Sequence, residues 1–227
     1  MPKKVCSEKA CLPAEAVRRL VRYYRDIKSL RNKGKKIVSS FFLSEMLGVS
    51  PDQIRKDFSY LGEFGKPGVG YDLEDLIRNL EEKLGLSNPA GAILIGVGRL
   101  GTALVGYSGF QDINISIVAG FDVDESKVGG MIFGISIYHI KDMKKVCKRL
   151  KPDVAIITVP ADVAQTVCDE VVKAGVVSIL NFAPVKLTAP DCVWVSNVDL
   201  SVELGCLLFC SRRRKSGEKS VSTQSLV

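Results

Sequence analysis

Hydrophobic positions along the chain change rhythm near residue 86: before it they recur every three or four residues, and after it short apolar runs alternate with helical periods. Behind Pro13, which suits a first helical turn, Val17, Leu20, Val21, Tyr24, Ile27 and Leu30 mark one face, while Arg18, Arg22, Arg25 and Lys28 mark the other. This predicts a first amphipathic helix, ended by residues 32–36. Ser39 or Ser40 can cap a shorter second helix with Leu43, Met46 and Leu47 inward, closed by a turn at Gly48 and Val49. Ser50, Pro51 and Gln53 then stand as cap, first helical position and capping-box partner of a third helix. Within it Ile54, Phe58 and Leu61 face inward, and Gln53, Arg55, Lys56, Ser59 and Tyr60 face outward or to the flanks. Two helices joined by a glycine turn, the second lined with donors, match a helix-turn-helix whose recognition helix enters a major groove. Ser40 joins these five outward residues as a predicted DNA contact. Residues 64–71 are rich in turn formers and read either as a wing with Lys66 at its tip or as an ordinary hairpin. Asp72 and Asp75 open a fourth helix through Leu73, Leu76, Ile77, Leu80 and Leu84.

Beyond the linker at residues 86–89, strands and helices alternate as a parallel sheet requires. The predicted strands lie at residues 91–95, 113–121, 154–159 and 176–180, with helices at 99–107, 141–150 and 161–174 between them. The fold class is therefore α/β: an N-terminal winged-helix domain (1–85), a Rossmann-like doubly wound parallel sheet (86–199) and a C-terminal helix (200–211). Leu200, Val202, Leu204, Leu207, Leu208 and Phe209 leave that last helix apolar on nearly every side, so it needs burial all round, which a partner subunit can supply. Residues 212–227 read as a flexible tail.

The candidate chemistry gathers at strand ends. Gly96, Gly98 and Gly101 have dinucleotide-fingerprint spacing: the first makes the turn, the second admits a pyrophosphate, and the third lets helix pack on strand. Val97, Arg99 and Leu100 complete that loop, whose helix start favours an anion. Asp122 lies 21 residues after Gly101, where a carboxylate can accept both ribose hydroxyls and repel an NADP phosphate. Asp124 offers the same chemistry, with Val123 between them. Ligands of open parallel sheets bind outside the carboxyl ends of strands, so Thr158, Val159 and Pro160, with Asn181, Phe182, Ala183 and Pro184, are predicted to converge on the same crevice. NAD+ and NADH differ by one positive charge on the nicotinamide ring, so an apolar pocket of Phe182, Ala183 and Pro184 prefers NADH.

Charge narrows the partners. The chain has 227 residues and a net charge of +7, but residues 1–71 hold 15 Lys or Arg against 7 Asp or Glu, while residues 85–209 hold 10 against 12. A basic N-terminal third is the footprint of a polyanion such as double-stranded DNA. No apolar run reaches about 18 residues and the N-terminus has no signal-peptide core, so no membrane partner and a cytoplasmic location are expected. Seven cysteines without C-x-x-C spacing argue against a disulfide framework or a metal site, and Cys206 and Cys210 read as small buried residues. A dehydrogenase would need a proton donor in the crevice, and the single histidine, His139, is placed away from it. A CoA-binding regulator is the other rival, disfavoured because Asp122 suits a diol better than a ribose phosphate.

Taken in order, the basic winged-helix segment, Gly68 to Tyr71, Gly96 to Gly101, Phe121 to Asp124, Thr158 to Ala161, Asn181 to Pro184 and Asn197 to Asp199 resemble the bacterial redox-sensing transcriptional repressor family Rex. The resemblance covers about residues 13–209. It implies a homodimer with exchanged C-terminal helices that binds a palindromic operator, releases it when NADH rises, and catalyses nothing. It also implies a switch in which Arg25, Tyr107 and Asp199 change partners, Asp199 coming from the other subunit.

Overall fold

The computed structural model of the chain describes residues 12–31, 33–62, 65, 66 and 68–215. Its contacts form two compact units, one of residues up to Ala90 together with Ser108–Ser116, the other of Gly91–Tyr107 and the residues from Ile117 onward.

In the first unit, helix α1 (Ala14–Arg31) buries Leu20, Tyr23, Tyr24, Ile27 and Leu30. A short strand β1 (Ile37–Val38) leads to α2 (Ser40–Leu47), capped by the Ser39 hydroxyl accepting from the Phe42 N–H. Gly48 closes α2 with φ of 65°, a left-handed turn that glycine adopts without steric cost. Helix α3 (Pro51–Ser59) is capped by Ser50, which accepts from Gln53 N at 3.2 Å. Only that half of the predicted capping box forms, because the Gln53 side chain turns to Asp57 instead. Strand β2 (Tyr71–Asp72) pairs antiparallel with β1, and Lys66 and Gly70 bridge the hairpin just before it. Both alternatives for this stretch meet here: it is a hairpin, and with β1, α2 and α3 it has the layout of a wing. Phe64 and Pro67 lie outside the described residues. Helix α4 (Leu73–Leu84), capped by Asp72, completes a core of Leu20, Ile27, Leu43, Ile54, Phe58, Leu76 and Leu80. Ser108–Ser116 docks on this unit through Lys28 Nζ to Asp112 O, Ala90 N to Asn114 O and Asn114 Nδ2 to Leu86 O. That docking was not predicted, since nothing in the local pattern of a loop says which neighbour it packs against.

The second unit is built on a sheet. Strand β3 (Ala90–Ile95) enters α5 (Arg99–Val105), and a 3-10 turn at Ser108–Ile113 precedes β4 (Ile115–Asp122). There follow β5 (Met131–Ile132), β6 (Ile135–His139), α6 (Met143–Leu150), β7 (Val154–Ile157), α7 (Ala161–Lys173), β8 (Ser178–Asn181) and β9 (Trp194–Asn197). The strand order is β5-β6-β4-β3-β7-β8-β9. From β6 to β9 this is the doubly wound order 3-2-1-4-5-6, with the reversal at β3 and only the edge β5–β6 pair antiparallel. The β5–β6 hairpin and β9 were absent from the sequence reading. Two-residue strands and an edge strand carry too few positions for a period to register. Ile93, Ile95, Phe121, Ala155, Ile157, Val167 and Ile179 form the core.

Helix α8 (Leu200–Lys215) runs four residues into the stretch expected to be tail. Arg212 and Arg213 continue it because arginine is a good helix former, and the Arg213 guanidinium lies 5.0 Å from the Phe209 ring one turn back. Residues 216–227 lie outside the described residues. Cys206 and Cys210 are half-buried in this chain rather than buried, while Cys147 and Cys168 are buried and burial pushes their thiols up. Among the described residues no helix is long and apolar enough to cross a membrane, and no group of three or more His, Cys, Asp or Glu could hold a metal ion.

Candidate nucleotide crevice and nucleic-acid face

The glycine turn is shaped by its neighbours. Gly96 has φ of 94°, its N–H donates to Phe121 O, and a Cβ there would stand 2.8 Å from the Thr158 carbonyl oxygen. Thr158 secures the turn from the next strand, its hydroxyl donating to Gly96 O at 2.7 Å. A Cβ on Gly101 would strike Gly96 O, so this glycine lets α5 lie against β3. At Gly98, by contrast, a Cβ would meet nothing within 4 Å, and this residue caps α5 without any side-chain hydrogen bond. An open helix start beside flat backbone is the cradle a phosphate requires.

Asp122 closes the turn from β4. Its carboxylate accepts from Val97 N at 2.8 Å, Val123 N at 2.8 Å, Asp124 N at 3.0 Å and Lys127 Nζ at 3.2 Å. Burial pushes this carboxyl up, but the Asp124 N–H, Lys127 and the Val97 N–H together outweigh it and hold it below its ordinary value. It stays ionised at neutral pH. Lys127, which the sequence reading missed, bridges Asp122 and Asp124 and lines the crevice.

Beside these groups lies a cavity of about 630 Å³ walled by Gly96, Gly98, Asp122, Val123, Lys127, Ile140, Thr158, Val159, Pro160, Val163 and Val167, among others. Its lining is mostly aliphatic, which suits a flat heteroaromatic ring, and also carries Lys141, Thr166 and Glu170 besides the Asp122 carboxylate and the glycine turn. Val163 and Val167 stand four apart on α7 and so share a face, a signal the sequence did offer. Asn181 ends β8, beyond β7, Phe182, Ala183 and Pro184 follow it, and none of the four lines this cavity. Asn181 is fully buried: its amide donates to Ala183 O, Val185 O and Asn197 Oδ1, fixing the loop rather than facing a ligand. Phe182 is half-buried, Ala183 buried and Pro184 exposed. Along the sheet the strand ends therefore run Asp122, Gly96, Thr158, Asn181, spanning about 14 Å at the usual strand spacing. One correction concerns His139. It pairs with Asp122 across β4 and β6, next to a predicted crevice residue though not lining the cavity, because β6 was not foreseen. Its Nδ1 accepts from Lys141 N, and its Nε2 stands 3.6 Å from Glu125.

On the first unit, Arg55, Lys56 and Ser59 of α3 and Lys66 of the hairpin are exposed, and Ser40, Gln53 and Tyr60 are half-buried. Arg55 donates to Ser40 Oγ at 2.9 Å and pairs with Asp52. A groove between the start of α2 and the hairpin is lined by Ser39, Ser40, Phe41, Arg55, Lys66 and Val69. Phe41 and Val69, 70% and 54% exposed, were not among the predicted contacts because exposed apolar residues carry no pattern of their own. Of the switch residues, Arg25 pairs with Asp26 at 3.3 Å, Tyr107 is exposed just after α5, and Asp199 caps α8 by accepting from Ser201 and Val202. The Ser201 hydroxyl, then the Val202 N–H, hold the Asp199 carboxyl below its ordinary value.

Relatives settle what the geometry leaves open. A redox-sensing transcriptional repressor Rex from an Exiguobacterium species is 44% identical over 207 residues, which cover 91% of this chain and 95% of that protein. The chain belongs to the Rex family. Rex from Desulforamulus reducens is 46% identical over 87% of this chain and 94% of its own, and Rex from Streptomyces avermitilis 41% identical over 93% and 83%. Two family models match this Rex-family chain: "Putative DNA-binding protein N-terminus" matches residues 12–59 and "CoA binding domain" residues 87–185. Among solved structures, a Rex-family repressor called RSP, in complex with NAD+ and operator DNA, is similar with a TM-score of 0.84 and 34% identity over 92% of this chain and 95% of that one. RSP in complex with NADH is similar with a TM-score of 0.79 and 33% identity over 92% and 97%.

Proposed function

We propose that this chain is an NADH-responsive transcriptional repressor: a cytoplasmic homodimer that binds a palindromic operator and releases it when NADH occupies the crevice. The observation that carries the reading is the Asp122 carboxylate fastened to the Val97 N–H, opposite a glycine turn open at Gly98, in a chain whose other unit presents Arg55, Lys56, Ser59 and Lys66. Asp122 and the start of α5 hold the ribose and phosphates of a dinucleotide, and Val159, Pro160, Val163 and Val167 line the rest of the cavity. The cofactor supplies a difference of one positive charge between its two forms. Val159, Pro160, Val163 and Val167 give a nicotinamide ring an aliphatic surround in which the uncharged form is favoured. The RSP complexes with NAD+ and operator, and with NADH, support the same ligands for this chain.

Arg25, Tyr107 and Asp199 are the proposed switch, with Asp199 delivered by a second subunit through α8. Release needs only that NADH favour one arrangement of the dimer, and about 5.5 kcal/mol of differential binding moves a 1:99 balance to 99:1. NADH is held and not consumed, in keeping with relatives that match nearly the whole chain and are named transcriptional repressors.

A gel-shift titration at fixed salt, varying the NADH to NAD+ ratio, tests this directly. The expected result is full operator binding with NAD+ and release as NADH rises, with Asp122→Ala requiring at least about tenfold more NADH, the size of one lost charge-assisted contact. Release by CoA in place of NADH, or steady NADH oxidation with a panel of carbonyl compounds, would overturn the reading.

A further inference from the structure

Asp57 sits in the recognition helix α3 and is fully buried, one of two buried polar residues among those described. Its carboxylate is completely subscribed. Arg19 of α1 donates in a fork, Nε to Oδ2 at 2.7 Å and Nη2 to Oδ1 at 2.8 Å, Tyr23 Oη donates to Oδ2 at 3.0 Å, and Gln53 Nε2 donates to Oδ1 at 2.8 Å. Arg19 and Tyr23 stand one turn apart on α1, and Gln53 and Asp57 one turn apart on α3, so the cluster is a four-point joint where two helices meet. Burial pushes the Asp57 carboxyl up, but Arg19, Gln53 and Tyr23 pull it below its ordinary value, so the joint is ionised.

Such a joint is a poor source of net stability, because desolvating two charges consumes most of what their attraction returns, and apolar residues of similar volume often serve as well. What it supplies is direction. Ile54 and Phe58, the apolar neighbours on α3, fix how deep the helix sits in the core, whereas a bidentate guanidinium–carboxylate fork, which tolerates little rotation, fixes its angle about its own axis. Rotation of α3 about its axis is the variable that decides whether Arg55, Lys56 and Ser59 meet base edges or only phosphates. The joint also settles the Gln53 amide: a carboxylate only accepts, so the amide nitrogen must face Asp57 and the carbonyl oxygen cannot.

We infer that Arg19 and Asp57 are positioning residues for operator readout, locking the rotation of the recognition helix and the orientation of the Gln53 amide, rather than ordinary members of the core. This rests on the repressor reading, and the wild-type protein tests that reading in the same experiment.

The measurement is the ratio of affinities for the operator and for a scrambled duplex of the same length and salt, with thermal midpoint and NADH affinity recorded in parallel. A variant that merely unfolds in part loses both affinities by one factor and leaves the ratio unchanged. The double variant Arg19→Met with Asp57→Leu strands the buried Tyr23 hydroxyl, so its midpoint is expected to fall somewhat, while it keeps its NADH affinity and loses at least about tenfold in the ratio, the discrimination of one base contact. Arg19→Lys keeps the charge but not the fork, and its ratio is expected to fall in the same sense. If the double variant does not fold, Arg19→Lys alone decides. A wild-type ratio in the folded variant overturns the inference, and a wild-type protein with no preference for the operator overturns the repressor reading instead.

Discussion

Asp57 and Asp122 are acidic residues that the sequence shows equally plainly, yet only one of them could be given a role before folding. Asp122 follows a strand at a set distance from a glycine triplet, and backbone spacing alone places it at the phosphate turn. What spacing could not show is that its oxygens already hold the Val97 N–H and Lys127, so that it shapes the turn itself. Asp57 reads as one more acidic residue of an amphipathic helix, and its partners Arg19 and Tyr23 lie 38 and 34 residues away. Its pH signature follows from those partners. The folded value is lowered, so the stabilisation is fully present above the ordinary value of about 3.8 and is lost as pH falls through the lower folded value. Urea midpoints measured from about pH 5 downward should therefore fall more steeply for the wild type than for Asp57→Asn, which at neutral pH is expected to be about 1–3 kcal/mol less stable. Equal slopes would mean that the Asp57 charge does not contribute.

Among the elements, α8 shows the widest gap between what a chain needs and what it has alone. Leu204, Leu207 and Leu208 are 67%, 61% and 51% exposed in a helix with polar residues scattered round it, which no single-chain fold would leave uncovered. A second subunit covering these residues accounts for them. Leu204→Glu with Leu208→Glu should turn the dimer into a monomer by light scattering and cost at least about a hundredfold in operator affinity, since one half-site alone must then hold the protein. An unchanged dimer would put the interface elsewhere. Most of the helices α1 to α7 were legible because each repeats its apolar face over two or more turns or carries a cap; α5, which does neither, was legible from the glycine fingerprint that opens it. The β5–β6 hairpin was not, and its omission misplaced His139, because strand pairing is a relation between segments and leaves little trace in either one.

For the whole molecule, a symmetric dimer with one basic head per subunit demands two half-sites on one face of the duplex. Inserting five base pairs between them turns one half-site by about half a helical turn, and gel-shift affinity should drop to that of non-specific DNA, while a ten-base-pair insertion should retain more if the linkers can stretch. Insensitivity to spacing would remove the two-headed arrangement. Patterning, caps and glycine spacing are local properties, so the chain by itself determined the helices, the strands β3, β4, β7 and β8, the basic face of α3, the glycine turn and the acidic residue 21 positions after it. Tertiary structure alone decided that Ser108–Ser116 belongs with the DNA-binding unit, that Asn181 locks a loop from within, and that Arg19 reaches a carboxylate on the recognition helix. Those facts depend on which distant surfaces come to share one interior, and burial is settled by the packing of the whole chain rather than by any stretch of it.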